Sequence, residues 1–278
     1  DANTEVSVQI APAVRVALGK ELGLNEGENL MGKLVASLKE IGFDKVYDTS
    51  LTADMTIVEE AAEFVERLNG KGKLPMFTSC CPAWIRFAEE KYPEFIENIS
   101  TCKSPMQMFA PVIKETYKGD KKHVHVAIMP CTAKKFEAAR DEFKNKAGEP
   151  YVDYVLTTQE VIRMIKEGGV RFNDIPDAKV DKPYGMITGA GVIFGVTGGV
   201  MEAVLRYVAQ DKSKKGLDEI AMTGVRGLEG VKEATVMIGD KEIRLAVVSG
   251  LGNASALLEK IKKGEAYYDL VEVMSCPG

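Results

Sequence analysis

The sequence predicts an α/β fold in two lobes, with parallel sheets whose strands are joined by helices. Two observations predict the sheets: short apolar runs alternate with stretches whose apolar residues recur every three or four positions, and turn or cap residues fall between them. A third predicts the second lobe. The alternation gives way to a hairpin pattern after the irregular stretch Phe172 to Tyr184, which holds Pro176 and Pro183, so the lobe boundary is expected within 172–184.

The elements follow in order. Val6-Ser7-Val8-Gln9-Ile10 has the two-residue period of a strand, and Pro12 suits the first turn of a helix through Leu18. Leu30, Leu34, Val35, Leu38 and Ile41 share a helical face that stops at Gly42; Asp44 to Tyr47 is strand-like, and a helix is expected from about Thr52 to Leu68. Leu74 to Thr78 reads as a strand before a helix from Pro82 through Tyr92, and His123 to Met129 as a strand before a charged helix after Lys134. Tyr151 to Leu156 runs into Thr157-Thr158-Gln159-Glu160, a capping box, and then a helix over Val161 to Glu167. Ala234 to Ile238 and Glu242 to Val248 flank Gly239-Asp240 as a hairpin, and a helix near Ala254 to Lys262 leads to a last strand, Leu270 to Met274.

With 278 residues, 45% of them hydrophobic, the chain can bury a sizeable core. A net charge of -5, from 36 basic and 41 acidic residues mixed along the chain, leaves no block of positive charge, so neither nucleic acid nor membrane is expected as a partner. No apolar run approaches a membrane span, and Asp1-Ala2-Asn3-Thr4-Glu5 lacks the features of a signal peptide. A soluble, cytoplasmic protein is expected, with a periplasmic one left open. Five cysteines in a chain too large to need disulfide staples point to free or metal-bound thiols.

Four of those cysteines fall in three short segments that each follow a strand-like run: Thr78-Ser79-Cys80-Cys81-Pro82, Met129-Pro130-Cys131-Thr132-Ala133-Lys134-Lys135, and Glu272-Val273-Met274-Ser275-Cys276-Pro277-Gly278. Ligands of open α/β sheets bind at the carboxyl ends of strands, where these segments would converge. Zinc fits poorly, because the C-x2-C pairs of structural zinc sites are absent. A disulfide between the neighbours Cys80 and Cys81 would be strained. A cysteine nucleophile would want a histidine base, but His123 and His125 are two apart on one strand and read as side chains on a sheet surface or edge. Cys102 reads as a small core hydrophobe. An iron-sulfur cluster fits better, its negative charge met by Lys134 and by helix N-termini after Cys81 and Cys131, although three segments supply one ligand fewer than a cubane needs.

The three segments closely resemble the signature motifs of the catalytic domain of [FeFe] hydrogenases: T-S-C-C-P, M-P-C-T-x-K-K-x-E, and the start of E-x-M-x-C-P-G-G-C. The resemblance extends through Gln9 to Arg15, Ser100 to Pro105 and Gly191 to Ala203, and so over essentially the whole chain. It implies two lobes, each a twisted, mainly parallel sheet flanked by helices, with the cofactor in the cleft between them. It implies that Cys81, Cys131 and Cys276 ligate a [4Fe-4S] cluster bridged to a two-iron subsite with CO, cyanide and dithiolate ligands, together the H-cluster. The family's remaining ligand lies four residues after the position of Cys276, so a residue beyond Gly278 is expected to complete the attachment and residues 1–278 alone are expected to be inactive.

The resemblance also implies that Cys80 passes protons between the cofactor and a relay of Glu60, Ser100 and Glu63. Glu60 and Glu63 are three apart and share a helix face, which from the residues alone reads as a solvated stripe with Glu59 and Glu66. Met129, Lys134 and Met274 match residues packed around the two-iron subsite, with Lys134 donating to a cyanide nitrogen, and Ala11, Pro12, Phe194 and Gly195 match the pocket wall. The implied activity is reversible reduction of protons to H2, with ferredoxin or upstream iron-sulfur domains as electron partner and maturation proteins inserting the two-iron subsite. Met106 stands where many catalytic members have glutamine, which motivates a sensory hydrogenase as one alternative. A non-enzymatic iron-sulfur assembly factor of the same fold is another, and Cys80 argues against it because those relatives generally lack the shuttle cysteine.

Overall fold

The computed structural model describes residues 2–182, 198–210 and 230–276. In chain order its elements are β1 (Thr4–Ile10), α1 (Val14–Ala17), α2 (Met31–Ile41), β2 (Lys45–Asp48), α3 (Ser50–Leu68), β3 (Met76–Phe77), α4 (Pro82–Lys91), α5 (Pro105–Thr116), β4 (Lys122–Met129), α6 (Ala133–Ala138), β5 (Tyr154–Thr157), α7 (Thr158–Glu167), α8 (Gly199–Gln210), β6 (Val231–Ile238), β7 (Lys241–Ser249), α9 (Leu251–Lys262) and β8 (Leu270–Met274). No helix among the described residues is long and apolar enough to cross a membrane.

The chain divides into two compact units, Asp1–Thr52 with Pro105–Thr188, and Ala53–Ser104 with Gly189–Gly278. This corrects the single boundary expected within 172–184. The first unit is left after β2 and re-entered at α5, and the excursion between them belongs with the C-terminal half. Two contacts explain the excursion. β3 pairs in parallel with β8, Met76 opposite Leu270, and the apolar stripe of α3, Ile57, Ala61 and Phe64, packs with Met201, Val204 and Leu245 of the second unit. Both partners lie more than a hundred residues downstream, beyond the reach of local pattern.

The first unit holds an all-parallel sheet in the order β2-β1-β4-β5. Val8, Ile10, Leu34, Leu38, Ile128 and Ile165 form its main core and are almost wholly buried. Gly42 takes φ 113 at the end of α2, a backbone conformation that glycine adopts without strain, and its N-H closes on Leu38 O and Lys39 O. The capping box of α7 forms as the sequence spells it: Thr157 N donates to Glu160 Oε2 at 2.8 Å and Glu160 N to Thr157 Oγ1 at 3.3 Å.

Helix α5 is an element that the periodicity did not reveal, because Pro111 lies inside it and removes one helical donor. It packs Tyr47, Phe109 and Ile113 together, while its second residue, Met106, is buried in the main core of this unit.

The polar positions of β1 are the surprise of this unit. Alternation in β1 is compatible with a solvated face, yet Ser7 and Gln9 are wholly buried, because α5 packs on that face with Met106 O on Gln9 and the Phe109 ring stacked on His125. Gln9 Nε2 donates to Met106 O at 3.1 Å and meets His125 Nε2 at 3.0 Å, while Thr49 Oγ1 donates to Gln9 Oε1 at 3.1 Å. The carbonyl acceptor fixes the amide orientation, so His125 Nε2 must accept and its Nδ1 must carry the proton. Nδ1 then donates to Ser7 Oγ at 2.7 Å, and Ser7 turns its own proton to His123 Nε2 at 2.8 Å. His125 is therefore no surface or edge side chain.

Burial pushes the His125 imidazole down to about 3, assisted by the charges of His123 and Lys114. A histidine held neutral contributes stability that is present above its ordinary value near 6.5 and is lost as pH falls from there toward about 3. Below pH 6.5, urea unfolding is expected to show a loss from this group approaching about 1.4 kcal/mol per pH unit, absent in His125→Gln. Equal pH slopes for wild type and variant would remove His125 as the cause.

The second unit holds a sheet in the order β3-β8-β7-β6, in which only β6 runs antiparallel. The hairpin forms at the expected Gly239-Asp240, with the positive φ on Gly239 alone. One face packs α3 and α8; the other packs α4 and α9 around Phe77, Trp84, Val248 and Leu258.

Candidate functional site

In each unit the residues singled out from the sequence collect at the carboxyl ends of parallel strands. In the first unit β1 and β4 are neighbours, Ile10 opposite Ile128, so Ala11-Pro12 and Met129-Pro130-Cys131 leave the sheet side by side. Ala11 N donates to Ile128 O at 3.0 Å. Arg15, overlooked as a candidate, holds this loop: its Nε donates to Pro12 O at 3.1 Å, and its Nη2 donates to Asp48 Oδ1 at 3.0 Å and Ser50 Oγ at 2.7 Å. Met129 is buried and Cys131 half-buried.

Lys134 sits in the first turn of α6 and pairs with Glu137 at 2.7 Å, both side chains largely buried. Glu137 is the last residue of the M-P-C-T-x-K-K-x-E pattern, and the three-residue spacing was the signal that it would orient the lysine. Helix α6 starts two residues after Cys131 and has only six residues, so the N-terminal dipole expected behind Cys131 is a weak one.

In the second unit β3 and β8 are parallel neighbours, which brings the Cys80-Cys81 segment beside the Ser275-Cys276 segment. Ser275 N donates to Cys81 Sγ at 3.4 Å, and Ser275 Oγ is 3.6 Å from the same sulfur. Cys81 is the N-cap of α4, with Pro82 in its first turn, so a ten-residue helix points its free N-H groups toward the sulfur end. Cys80 and Cys81 are buried, Met274 is half-buried and Cys276 exposed. Phe194 and Gly195 lie outside the described residues.

Glu60, Glu63 and Ser100 are brought together in the same unit. The solvated-stripe reading holds for Glu59 and Glu66, which are exposed, and fails for Glu60, which is wholly buried. Ser79 N donates to Glu60 Oε1 at 3.2 Å, while Glu60 Oε2 has no hydrogen-bond partner among the described residues. Burial pushes the Glu60 carboxyl up to about 7, with the charge of Glu272 adding to it and the Ser79 N-H opposing. Glu272 is itself buried and pushed up to about 7 by burial, although Gly198 N and Met201 N donate to it at 2.7 and 2.8 Å.

Glu63 is the opposite case. Burial works against its charge, but donors from Arg67, Ser100 and Thr101 prevail and hold its carboxyl below the usual range. Arg67 Nη2 reaches Oε1 at 2.6 Å, Ser100 Oγ donates to Oε2 at 2.9 Å, and Thr101 N to Oε2 at 2.9 Å. Arg67, also overlooked, is buried and donates to the carbonyls of Lys73, Glu97, Asn98 and Ile99 as well. Its spacing of four from Glu63 was the available sign.

The Cys102 thiol is pushed up to about 12 by burial, with nearby carboxylates adding to it, so it stays protonated and is no ligand candidate. Two carboxyls on one helix, one near neutrality and one firmly ionised, with a serine hydroxyl bonded to the second, can pass a proton at neutral pH.

Each unit is thus a mainly parallel α/β layer that carries thiols at its strand ends, and the second unit adds a buried carboxyl, Glu60, bonded to the Ser79 N-H just before Cys80 and Cys81. The chain belongs to the family described as iron only hydrogenase large subunit, C-terminal domain, whose model matches residues 4–278. The NADP-reducing hydrogenase subunit HndD of Solidesulfovibrio fructosivorans is 46% identical over 286 residues, covering 98% of this chain and 48% of that protein. The periplasmic [Fe] hydrogenase large subunit of Nitratidesulfovibrio vulgaris is 46% identical over 275 residues, covering 96% of this chain and 65% of that protein. The chain thus spans about half to two thirds of these relatives. A solved structure of a variant of the [FeFe]-hydrogenase HydA1 from Chlamydomonas reinhardtii superposes with a TM-score of 0.84 at 39% identity, covering 98% of this chain and 77% of that one. Cytosolic iron-sulfur assembly component 3 of Mus musculus is more distant, 32% identical over 286 residues, covering 98% of this chain and 60% of that protein.

Proposed function

We propose that this chain is the catalytic domain of an [FeFe] hydrogenase that interconverts protons, electrons and H2. The observation that carries the reading is Glu60: a wholly buried carboxyl, raised to about 7, with one oxygen held by Ser79 and the other without a partner among the described residues. An unpaired buried carboxyl oxygen is costly, and it is retained where a proton must be taken and given. An assembly factor without proton chemistry has no use for it.

The residues fit an H-cluster in chemistry. Cys81 and Cys276 in the second unit and Cys131 in the first are thiol donors at strand ends and would hold the [4Fe-4S] part; the two-iron part would be held with the help of Met129, Lys134, Ala11 and Pro12 of the first unit and Met274 of the second. When bound, the cluster supplies the electrons and the metal centre at which H2 is formed or split.

The chain's own groups handle the proton. Cys80, a buried thiol able to donate and accept, would hold the proton on its Sγ at the inner end of the relay. Glu60 takes it, being near neutrality at pH 7, and the Ser100 hydroxyl and Glu63 carry it to the half-exposed end of the relay. Burial of Glu60 keeps bulk water from short-circuiting the path. The electrons would come from ferredoxin or an upstream iron-sulfur domain, and maturation proteins would insert the two-iron part. The compartment proposed is the cytoplasm, where free thiols persist.

Infrared spectroscopy of the full-length protein after maturation tests the reading. Bands of bound CO and cyanide together with robust H2 evolution are expected. Their absence from a matured, folded sample would favour the assembly-factor alternative, and bands with only sluggish turnover the sensory one. Met106 bears on the latter: its side chain is 1% exposed in the core of the first unit and its carbonyl is held by Gln9.

A further inference from the structure

We propose that Ser79 is a positioning residue of the proton relay, fixing Glu60 so that Oε2 is the oxygen that exchanges the proton. The inference rests on the relay reading above and goes beyond it in naming the atom and the residue that selects it.

The two oxygens of Glu60 are not equivalent. Oε1 accepts the Ser79 N-H at 3.2 Å, and Oε2 accepts nothing among the described residues. An oxygen already engaged by a donor is the poorer base, so an arriving proton settles on Oε2. The Ser79 hydroxyl is also near, 3.5 Å from Oε1, but its single proton is committed to Cys102 O at 2.6 Å. Ser79 therefore holds Glu60 through its backbone and is itself held through its side chain.

The anchor matters because of what it joins. Cys102 N donates to Ser100 Oγ at 3.2 Å, and Ser100 Oγ donates to Glu63 Oε2 at 2.9 Å. Glu60, Ser79, Cys102, Ser100 and Glu63 thus form one continuous hydrogen-bonded frame that sets both carboxylates against each other. The charged and titratable groups acting on Glu60 are Glu272 on β8, Glu63 on its own helix, and the Cys102 thiol from the segment after residue 98. None of these three donates a hydrogen bond to Glu60 Oε1; Ser100 also favours the charged form of Glu60, but its hydroxyl proton is bonded to Glu63 Oε2 at 2.9 Å, so Ser79 is the residue that holds Oε1.

Ser79→Ala keeps the N-H but cuts the anchor to Cys102, so the segment slackens and the bond to Oε1 weakens. A carboxylate that loses a donor binds its proton more tightly. In the full-length matured protein, the infrared carboxyl band of protonated Glu60, identified by its disappearance in Glu60→Gln, is expected to shift in frequency. Its titration midpoint should rise by roughly half to one pH unit. Turnover should fall about threefold to tenfold, with its pH profile displaced the same way, and Ser79→Thr, which keeps the hydroxyl, should restore midpoint and rate. A band, midpoint and pH profile in Ser79→Ala that match wild type would overturn the proposal. A wild-type protein with no titrating band that Glu60→Gln removes would instead overturn the relay reading, and this inference with it.

Discussion

In the full-length matured protein, Cys80→Ala is expected to lower H2 evolution by about 10²- to 10⁴-fold, the range that a positioned proton carrier contributes. The CO and cyanide bands should remain, because Cys80 is assigned to the proton and Cys81 to the metal. The two can be separated by substitution: the Cys81 sulfur meets Ser275 N, and Cys81 caps α4, whereas Cys80 does neither. Alanine removes one buried sulfur, which costs on the order of 1 kcal/mol and does not unfold the domain. Cys80→Ser should be nearly as slow, since a hydroxyl can hydrogen-bond but is a far weaker acid than a thiol. Full activity in either variant would sink the role given to Cys80; loss of the infrared bands in Cys80→Ala would instead make it a ligand or a support for one.

Glu60→Gln is expected to lower turnover by about two orders of magnitude while raising stability at alkaline pH. Glutamine can accept the Ser79 N-H through its carbonyl oxygen, so the frame survives, but it cannot take up a proton. The stability sign follows from the raised carboxyl. A group lifted from 4.5 to about 7 on folding contributes stability that is fully present below pH 4.5 and is lost as pH rises through 7. That loss is on the order of 3 kcal/mol for a shift of this size, and the variant escapes it. Urea unfolding at pH 5 and pH 9 should therefore show wild type losing more stability than Glu60→Gln across that interval. Glu272 has a shift of the same sign, so part of the alkaline loss should persist in the variant. Identical pH dependence in both proteins would mean that Glu60 is ionised in the fold, and the relay would lose its near-neutral member.

Much of this site is legible in the sequence. The capping box at Thr157 and Glu160, the stop at Gly42 and the turn at Gly239 are local instructions, each set by a side chain or a missing Cβ within four residues of where it acts. The cysteine segments were readable for a similar reason, since each motif lies within a few residues at the end of one strand. Arg67 and Glu137 were missed although their spacings of four and three were in plain view, because a charge on a helix reads by default as solvated.

Other features had no local signal at all. Alternation in β1 does not say whether the face of Ser7 and Gln9 is covered; its burial depends on α5 packing there, with Met106 O on Gln9 and Phe109 on His125. The single boundary at 172–184 failed because β3 pairs with β8 across nearly two hundred residues.

By itself, then, the sequence determined the strand-helix grammar, the thiol inventory and, through three short motifs, the family. Only the tertiary structure decided which carboxylate would be near neutrality and which would stay charged. Glu60 and Glu63 are the same residue type on the same helix; Arg67, four residues after Glu63, is a sequence sign for the charged one, but no sequence sign marks Glu60 as buried. The difference is that Glu60 is buried with a single N-H donor and Glu272 nearby, whereas Glu63 meets Arg67, Ser100 and Thr101. Desolvation and donor count are properties of what the fold brings alongside a side chain, and apart from Arg67 those neighbours, Ser79, Ser100, Thr101 and Glu272, come from segments that the chain joins only when it closes.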